Sequence, residues 1–265
     1  MTWKGGRYKY RSEREEKVRK GVLLIISYIL VFYIGYTFAY QTLVSKTQPE
    51  VLTPMPVSGN FTASTNILAV RSTDNSGVIG DVIVEVNPGK GRVLMDTNPF
   101  VEPDTQFSAE TAVSVAQGYT KMDLSDRDVI ISFNITGQLI GGPSAGAAMT
   151  IATIGAIEQI PLKEDVAITG TIESNGEIGY VGGLVEKAEA AANNGIILFL
   201  VPEGQIQLRY YEQVIERERI TPGFVIRRVR YVPRILDLAN YTMTEWDMET
   251  KEVATIDDVV TYMLE

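Results

Sequence analysis

The stretch GGPSAGAAMTIATIGAI, from Gly141 to Ile157, places one serine between a glycine-proline bend and a long apolar run. This pattern predicts a helix that opens at Ser144. Serine is favoured as a helix N-cap, because its hydroxyl accepts a hydrogen bond from a free first-turn amide. The same position suits a nucleophile, since a helix N-terminus offers N–H groups and positive potential to an oxyanion. The local pattern leaves both interpretations of Ser144 open.

The composition narrows the chemistry available to that serine. The chain of 265 residues has no histidine and no cysteine. Imidazole bases, imidazole or thiolate metal ligands, disulfides and cysteine nucleophiles are therefore excluded. The segment Asn87–Met95 lacks the G-x4-G-K-[ST] spacing of a phosphate-binding loop. We expect no metal and no cofactor, and a serine nucleophile would need a base other than histidine.

A second stretch, GYVGGLVEKAEAAANNG from Gly179 to Gly195, contains a candidate base. A glycine turn leads into a predicted helix that ends at an Asn-Asn-Gly stop. At 100° per residue, Lys187 borders the apolar face formed by Leu184, Ala188 and Ala191. An isolated lysine on a helix is commonly exposed. If Lys187 is buried instead, desolvation favours its neutral amine, which can accept the proton of a serine.

Together the two stretches resemble the proteolytic domain of the Lon protease family, which uses a Ser-Lys dyad without histidine. The segment GPSAG holds Ser144, VGGLVEK holds Lys187, and their separation of 43 residues fits the family spacing. The segment AITGTI places Thr169 where the family has a threonine that supports the lysine amine. The resemblance covers most of residues 66–240 and implies a mixed-sheet α/β (α+β) domain. One departure is Gly141, because family members usually carry an acidic residue three positions before the serine.

The resemblance implies a role for each matching residue. Ser144 would be the nucleophile, Lys187 the general base, and Thr169 the residue that orients the lysine. Backbone amides at Ser144 and along its glycine-rich approach would stabilise the oxyanion, with Gly142 a weaker donor. The residues expected to bind the oxyanion or the substrate are Gly142, Pro143 and Ala145.

The N-terminal region has the charge pattern of a membrane anchor. Residues 1–20 carry eight Lys or Arg against three Glu, whereas the whole chain has a net charge of -9. The segment from Gly21 to Tyr40 is uncharged and approaches the ~20 residues that span a bilayer. We expect a transmembrane helix over 21–43; a cleaved signal peptide and a buried core helix are the alternatives. The positive-inside rule predicts a single-pass protein of the cell membrane, with a cytoplasmic N-terminus and an extracytoplasmic domain.

The remaining sequence predicts a linker, a folded domain and a C-terminal extension. Prolines and hydroxyl residues favour an extended linker over 44–65, followed by the domain over 66–240 and the extension over 241–265. Within the domain, apolar patterns predict strands and helices without a regular βαβ period. The expected strands cover 66–71, 78–86, 91–95, 128–135, 166–173, 197–201 and 224–231, and the expected helices cover 107–121, 183–194 and 206–219.

These observations lead to a hypothesis about function. We expect a membrane-anchored, ATP-independent serine endopeptidase that cleaves unfolded or flexible polypeptides. By resemblance, we also expect a homo-oligomeric ring, with a hexamer as the first candidate. The acidic balance of the chain after the membrane segment argues against nucleic acid as a partner. A catalytically silent Lon-like binding or assembly platform and a two-carboxylate hydrolase acting on sugars are the alternatives.

Overall fold

The computed structural model describes residues 18–23, 26–37, 61–96, 98–136, 139–221 and 224–265. They belong to two compact units, Met1–Met55 and Pro56–Glu265. In the first unit, α1 (Val18–Thr37) is a helix of 20 residues, and a stretch of 18 of them has a mean hydropathy of 1.8. Its length and composition suffice to cross a bilayer, although a signal sequence would share both properties. Residues 38–43 of the expected span and the basic residues 1–17 lie outside the described part.

The second unit alternates strands and helices. Its strands are β1 (Phe61–Val70), β2 (Gly77–Pro88), β3 (Val93–Met95), β4 (Phe100–Val101), β5 (Arg127–Asn134), β6 (Leu139–Ile140), β7 (Val166–Ile168), β8 (Thr171–Ile172), β9 (Ile178–Gly179), β10 (Leu198–Pro202), β11 (Gln207–Thr221), β12 (Phe224–Asp237) and β13 (Glu249–Val253). Its helices are α2 (Pro103–Thr120), α3 (Gly146–Glu158), α4 (Leu184–Asn193), α5 (Leu238–Trp246) and α6 (Ile256–Met263), with a 3-10 turn at Pro143–Ala145. This is the expected mixed α/β class.

A four-stranded sheet in the order β1-β2-β5-β3 supports the first core. The β1–β2 and β2–β5 pairs are antiparallel, and β3 runs parallel to β5. On β2, Val82, Val84 and Val86 are buried in the two-residue period of a strand with one face against a core. Helix α3, buried along its length from Gly146 to Ile157, packs on β1 and β2, and α2 packs on α3. An all-round apolar helix is stable only when it is enclosed in this way.

A second core lies on the other side of β1. Successive strand residues point to opposite faces, so Ile67 packs into the first core and Leu68 into the second. The second core includes the buried face of α4 and Phe199 of the parallel sheet β13-β10-β7. A side chain at Gly77 would approach the carbonyl of Glu186 to 1.8 Å, because β2 passes against the α4 backbone there. This close approach fixes the position of α4.

One predicted helix is wrong. Residues 206–219 were expected to be helical, but β11 pairs antiparallel with β12 from Gln207↔Asp237 to Thr221↔Phe224. The segment is rich in aromatic and β-branched residues, which favour an extended strand when a partner strand is present. The expected strand at 224–231 is the first half of β12. The pairing of two long strands therefore overrides the local helical interpretation.

The expected domain boundaries also shift. Residues 61–65, assigned to the linker, form the first half of β1, while residues 44–60 lie outside the described part. The boundary expected at residue 240 falls inside α5. Within the expected C-terminal extension, β13 joins the β10 sheet, and Val253, Val259 and Met263 are buried in the first core. Residues 241–265 are therefore structural members of the same unit.

Candidate active site

The serine segment forms a tight turn in front of α3. Gly142 has a φ of 87°, in the region that favours glycine, and the 3-10 turn that follows contains Ser144. Helix α3 then begins at Gly146, two residues later than the sequence predicts. Its N-cap is Ala145, and no side chain caps this end of the helix. The Ser144 hydroxyl is therefore not engaged as a cap, and it lies beside the positive end of a 13-residue helix.

Two backbone hydrogen bonds hold this segment against the strand end after β7. The amide of Gly170 donates to the carbonyl of Ser144 at 3.0 Å, and the amide of Ala147 donates to the carbonyl of Gly170 at 3.1 Å. A side chain at Gly146 would lie 2.8 Å from the Ile172 amide nitrogen, and one at Gly170 would lie 2.4 Å from Ile178. The two glycines permit this approach, so the serine turn and the Thr169–Gly170 pair form one rigid unit.

Lys187 lies inside the second core. It is 3% exposed, on the face of α4 that also buries Leu184, Ala188 and Ala191. The turn before α4 is completed by Gly183, whose φ of 68° serves the helix start. Burial lowers the pKa of Lys187 from 10.5 to about 8, because desolvation disfavours the ammonium form. The exposed-lysine alternative is therefore wrong, and the amine loses its proton at a pH closer to neutral than a solvated lysine does.

A short chain of hydrogen bonds leads from the lysine to the serine segment. The Nζ of Lys187 donates to Thr169 Oγ1 at 2.9 Å, and Thr169 Oγ1 donates to the Ser144 carbonyl oxygen over a longer 3.4 Å. Since the threonine hydrogen is used on that carbonyl, Thr169 acts only as an acceptor toward the lysine. A neutral lysine amine therefore retains its lone pair. Within the described residues, Ser144 Oγ and Lys187 Nζ are not hydrogen-bonded to each other.

The amides near Ser144 differ in their availability. The Gly142 amide points at Asp104 Oδ1 at 3.4 Å, and Pro143 has no N–H. The amide of Gly146 is bonded to the carbonyl of Pro143. Of the expected oxyanion donors, Gly142 therefore has a competing partner in this conformation. The Ser144 amide is the better candidate donor.

Helix α2 contributes residues that the sequence analysis missed. Thr105 Oγ1 donates to the Gly142 carbonyl at 3.0 Å, and Ser108 Oγ donates to the Pro143 carbonyl at 3.3 Å. Both side chains are buried, one helical turn apart, on a face that continues with Ala109 and Ala112. The i, i+3 spacing of two hydroxyl residues on a small-residue face was the available signal. These two residues hold the Gly142 and Pro143 carbonyls of the serine turn against α2.

The space beside Gly141 is taken by a carboxylate from another element. A Cβ at Gly141 would lie 2.1 Å from Oε2 of Glu102, the residue that precedes α2. The acidic side chain that the family resemblance leads us to expect at position 141 is absent, and an acidic side chain from the α2 N-terminus lies there instead. Desolvation is the cause of the lowered Lys187 pKa, so this carboxylate does not hold the amine charged. Among the described residues, no group of three or more acidic side chains could hold a metal ion.

Comparison with known proteins assigns this arrangement to a class, the Lon-type serine proteases. Residues 75–225 match the family described as the Lon protease (S16) C-terminal proteolytic domain. The match covers more than half of the chain and includes Ser144, Thr169 and Lys187. The chain belongs to this family.

The similar proteins are much longer than the matched region. The archaeal Lon protease of Thermoplasma volcanium is 29% identical over 210 residues, which are 75% of this chain and 30% of that protein. The archaeal Lon protease of Methanocaldococcus jannaschii is 32% identical over 182 residues, 65% of this chain and 27% of that protein. Lon protease 1 of Hydrogenovibrio crunogenus is 32% identical over 179 residues, 64% of this chain and 20% of that protein. The chain thus spans less than a third of the length of these relatives.

Proposed function

We propose that the chain is a membrane-anchored, ATP-independent serine endopeptidase with a Ser144–Lys187 dyad. The observation that carries the proposal is the buried Lys187 amine, whose pKa of about 8 leaves roughly a tenth of the amine neutral at pH 7, far more than a solvated lysine. Its polar partner, Thr169, is itself hydrogen-bonded to the serine segment. A lysine with these properties supplies the proton acceptor that a chain without histidine requires.

In this mechanism, Ser144 Oγ attacks the peptide carbonyl and its proton passes to Lys187 Nζ. The Ser144 amide and the positive end of α3 stabilise the oxyanion. Collapse of the tetrahedral intermediate breaks the C–N bond, and the lysine ammonium protonates the leaving amine. Water then loses a proton to the neutral lysine and attacks the acyl group. The bond to Ser144 Oγ breaks, and the lysine ammonium returns the proton to that oxygen. The mechanism requires Ser144 Oγ and Lys187 Nζ to come within hydrogen-bonding distance when substrate binds.

The substrate class and energy requirement are parts of the same proposal. The sequence contains no P-loop, which supports hydrolysis that does not depend on ATP. Without a motor to unfold them, folded proteins would enter a narrow site poorly. We therefore propose unfolded chains, peptides and flexible segments as substrates.

The proposed location rests on the N-terminal helix and the charge before it. Residues 1–20 carry a formal charge of +5 and precede the uncharged run that makes up the rest of α1 from Gly21 onward. These features support a single span with a cytoplasmic N-terminus and an extracytoplasmic protease domain. Anchors in one membrane raise the effective concentration of the domains, which would favour a homo-oligomeric ring, and we propose a hexamer.

A serine-directed fluorophosphonate probe tests the catalytic part of the proposal. We expect the full chain to be labelled, and we expect Ser144→Ala and Lys187→Ala to lose labelling. Ser114→Ala, on the exposed side of α2, and Lys90→Ala, at an exposed loop position, are matched controls that should label normally. Equal absence of labelling in the wild type and all variants, with the fold retained, would instead support a silent binding platform.

A further inference from the structure

The β11–β12 hairpin has one face on which several large apolar side chains are exposed. Alternate residues of paired strands share a face, which groups Tyr211, Ile215, Val229, Tyr231 and Ile235 on one side. These five side chains are between 49 and 71% exposed. With the adjacent exposed Pro233, we call them the apolar face. Nothing in the described part of the chain covers it.

The opposite face is of a different kind. Three cross-strand ion pairs, Arg228–Glu218, Arg230–Glu216 and Arg234–Glu212, lie along it. The apolar residues between them, such as Val214 and Val232, are only half-exposed. Leu208, on this side, packs against the second core. Exposure to water is therefore favourable for the charged face, whereas it is unfavourable for the apolar face.

The hairpin is fixed to the domain at its base. The amide of Leu238 donates to the Ile206 carbonyl, and the amide of Ile206 donates to the Glu252 carboxylate, both at 2.8 Å. Beyond this base, two strands of 15 and 14 residues continue as a separate two-stranded sheet. A two-stranded sheet is marginally stable in water unless its apolar side is covered. The hairpin is thus an anchored arm that needs a partner.

We propose that the apolar face docks onto the protease domain of a second copy of this chain. Its six side chains expose roughly 650 Å² in total, more than the largest patch of many monomers and close to the ~800 Å² that each partner buries in a standard interface. The match in area favours a protein partner of stable, specific type.

The charge of the hairpin indicates which kind of protein surface is complementary to it. The hairpin, residues 207–237, carries seven arginines and four acidic residues, whereas residues 38–206 and 238–265 carry nine basic and 26 acidic residues. On the apolar side near the tip, Arg217 and Arg227 lie directly opposite each other, and both are exposed. Like charges at paired positions repel, and an acidic surface relieves that repulsion. The acidic domain of a second copy is such a surface, so the arm of one copy meets the body of the next.

The backbone argues against a lipid partner. In a two-stranded sheet, each strand has one outer edge whose N–H and C=O groups have no partner within the sheet. Open sheet edges are not tolerated in the hydrocarbon of a bilayer, because these groups would lose their hydrogen bonds. A protein surface can pair or solvate them. The occupant is therefore a second copy and not the membrane.

Photocrosslinking from adjacent positions separates these occupants. The chain has no cysteine, so Tyr211→Cys on the apolar face and Tyr210→Cys on the charged face each accept a single benzophenone-maleimide. The full chain, in the Ser144→Ala background and with two different tags, is reconstituted in vesicles with anionic lipid and irradiated. We expect a two-tag adduct of twice the chain mass, at least about fivefold stronger from position 211 than from 210. Lipid adducts alone, equal yields from both positions or no adduct would overturn the proposal.

A charge reversal on unlabelled protein controls for the bulk of the probe. Arg217→Glu with Arg227→Glu should dissociate the detergent-solubilised chain, as measured by light scattering. Arg228→Glu with Arg230→Glu changes the net charge equally on the charged face and should leave the assembly intact. Circular dichroism checks that both variants fold. Equal dissociation in both variants, or in neither, contradicts docking by the apolar face. Both variants are also made in the Ser144→Ala background, so the result is independent of the proposed protease activity.

Discussion

Helix α4 and the β11–β12 hairpin both combine basic and apolar residues, but the basic group is buried in α4 and exposed to water in the hairpin. Lys187 lies inside the second core with Thr169 as its polar partner, and burial lowers its pKa to about 8. The arginines of the charged face remain in water, where Arg230 pairs with Glu216 and Arg234 with Glu212. A basic group that is buried without a counter-charge becomes a proton acceptor. A basic group that is paired in water stays charged and chemically inert.

The substitution Lys187→Arg is the most direct test of the difference between the buried lysine and the solvated arginines. We expect peptide hydrolysis to fall by about 10³-fold, because guanidinium remains protonated in proteins and general base catalysis is lost. The measurement is kcat/KM on an unstructured fluorogenic peptide, with Ser144→Ala as the background reference. Arg234→Lys on the hairpin is the matched exchange at an exposed position and should retain activity. Wild-type hydrolysis by Lys187→Arg would assign the base to another residue.

Helix α4 and the hairpin also differ in how well their structures can be predicted from the sequence. Around α4, the glycine turn, the apolar stripe and the Asn-Asn-Gly stop are all local, and they predicted the helix correctly. They placed Lys187 only at the border of the apolar face, and its burial became clear from the fold. The hairpin depends on pairing between residues up to 30 positions apart, such as Gln207↔Asp237. A local pattern does not contain that information, so residues 206–219 were interpreted as a helix.

The residues of the candidate active site differ in the same way. Ser144, Lys187 and Thr169 could be selected because each lies in a recognisable segment. The carboxylate of Glu102 beside Gly141, and the bond from Thr105 to the Gly142 carbonyl, arise where α2 packs against the serine turn. Those contacts join residues nearly 40 positions apart. They follow from tertiary packing, which spacing along the chain does not reveal.

A second prediction concerns the effect of Lys187 burial on the pH dependence of stability. The pKa of Lys187 falls from its ordinary value of 10.5 to about 8 in the fold, so between these values the unfolded chain binds more protons. The free energy of unfolding should therefore rise with pH over that window, by about 3 kcal/mol from this group. Denaturant unfolding at pH 7 to 10.5, in wild type and Lys187→Met, measures it. The difference in the free energy of unfolding between Lys187→Met and wild type should shrink as pH increases. A difference that does not change with pH contradicts a buried, titrating amine.

A third and smaller effect is expected at Thr169. Thr169→Val removes the acceptor for Lys187 Nζ while both reacting groups remain, so kcat should fall by about tenfold, the equivalent of one hydrogen bond. The pH profile of kcat/KM should shift to lower pH, because that acceptor also favours the ammonium form. Thr169→Ser keeps the hydroxyl and should restore both. A loss of stability without a change in the pH profile would indicate only a packing role.

The smallest effect is expected where the basic groups remain in water. Arg230→Gln and Glu216→Gln break a cross-strand pair with an N···O distance of 3.2 Å, whose side chains are 66 and 50% exposed. Solvent screens such a pair and side-chain entropy opposes it, so the coupling free energy should be below about 1 kcal/mol and should vanish in high salt. A double-mutant cycle on denaturant unfolding measures the coupling directly, and activity should not change in any of the three variants. A coupling well above this limit, insensitive to salt, would mean that the charged face is itself shielded from water, and the proposed division between a solvated charged face and a docking apolar face would have to be reversed.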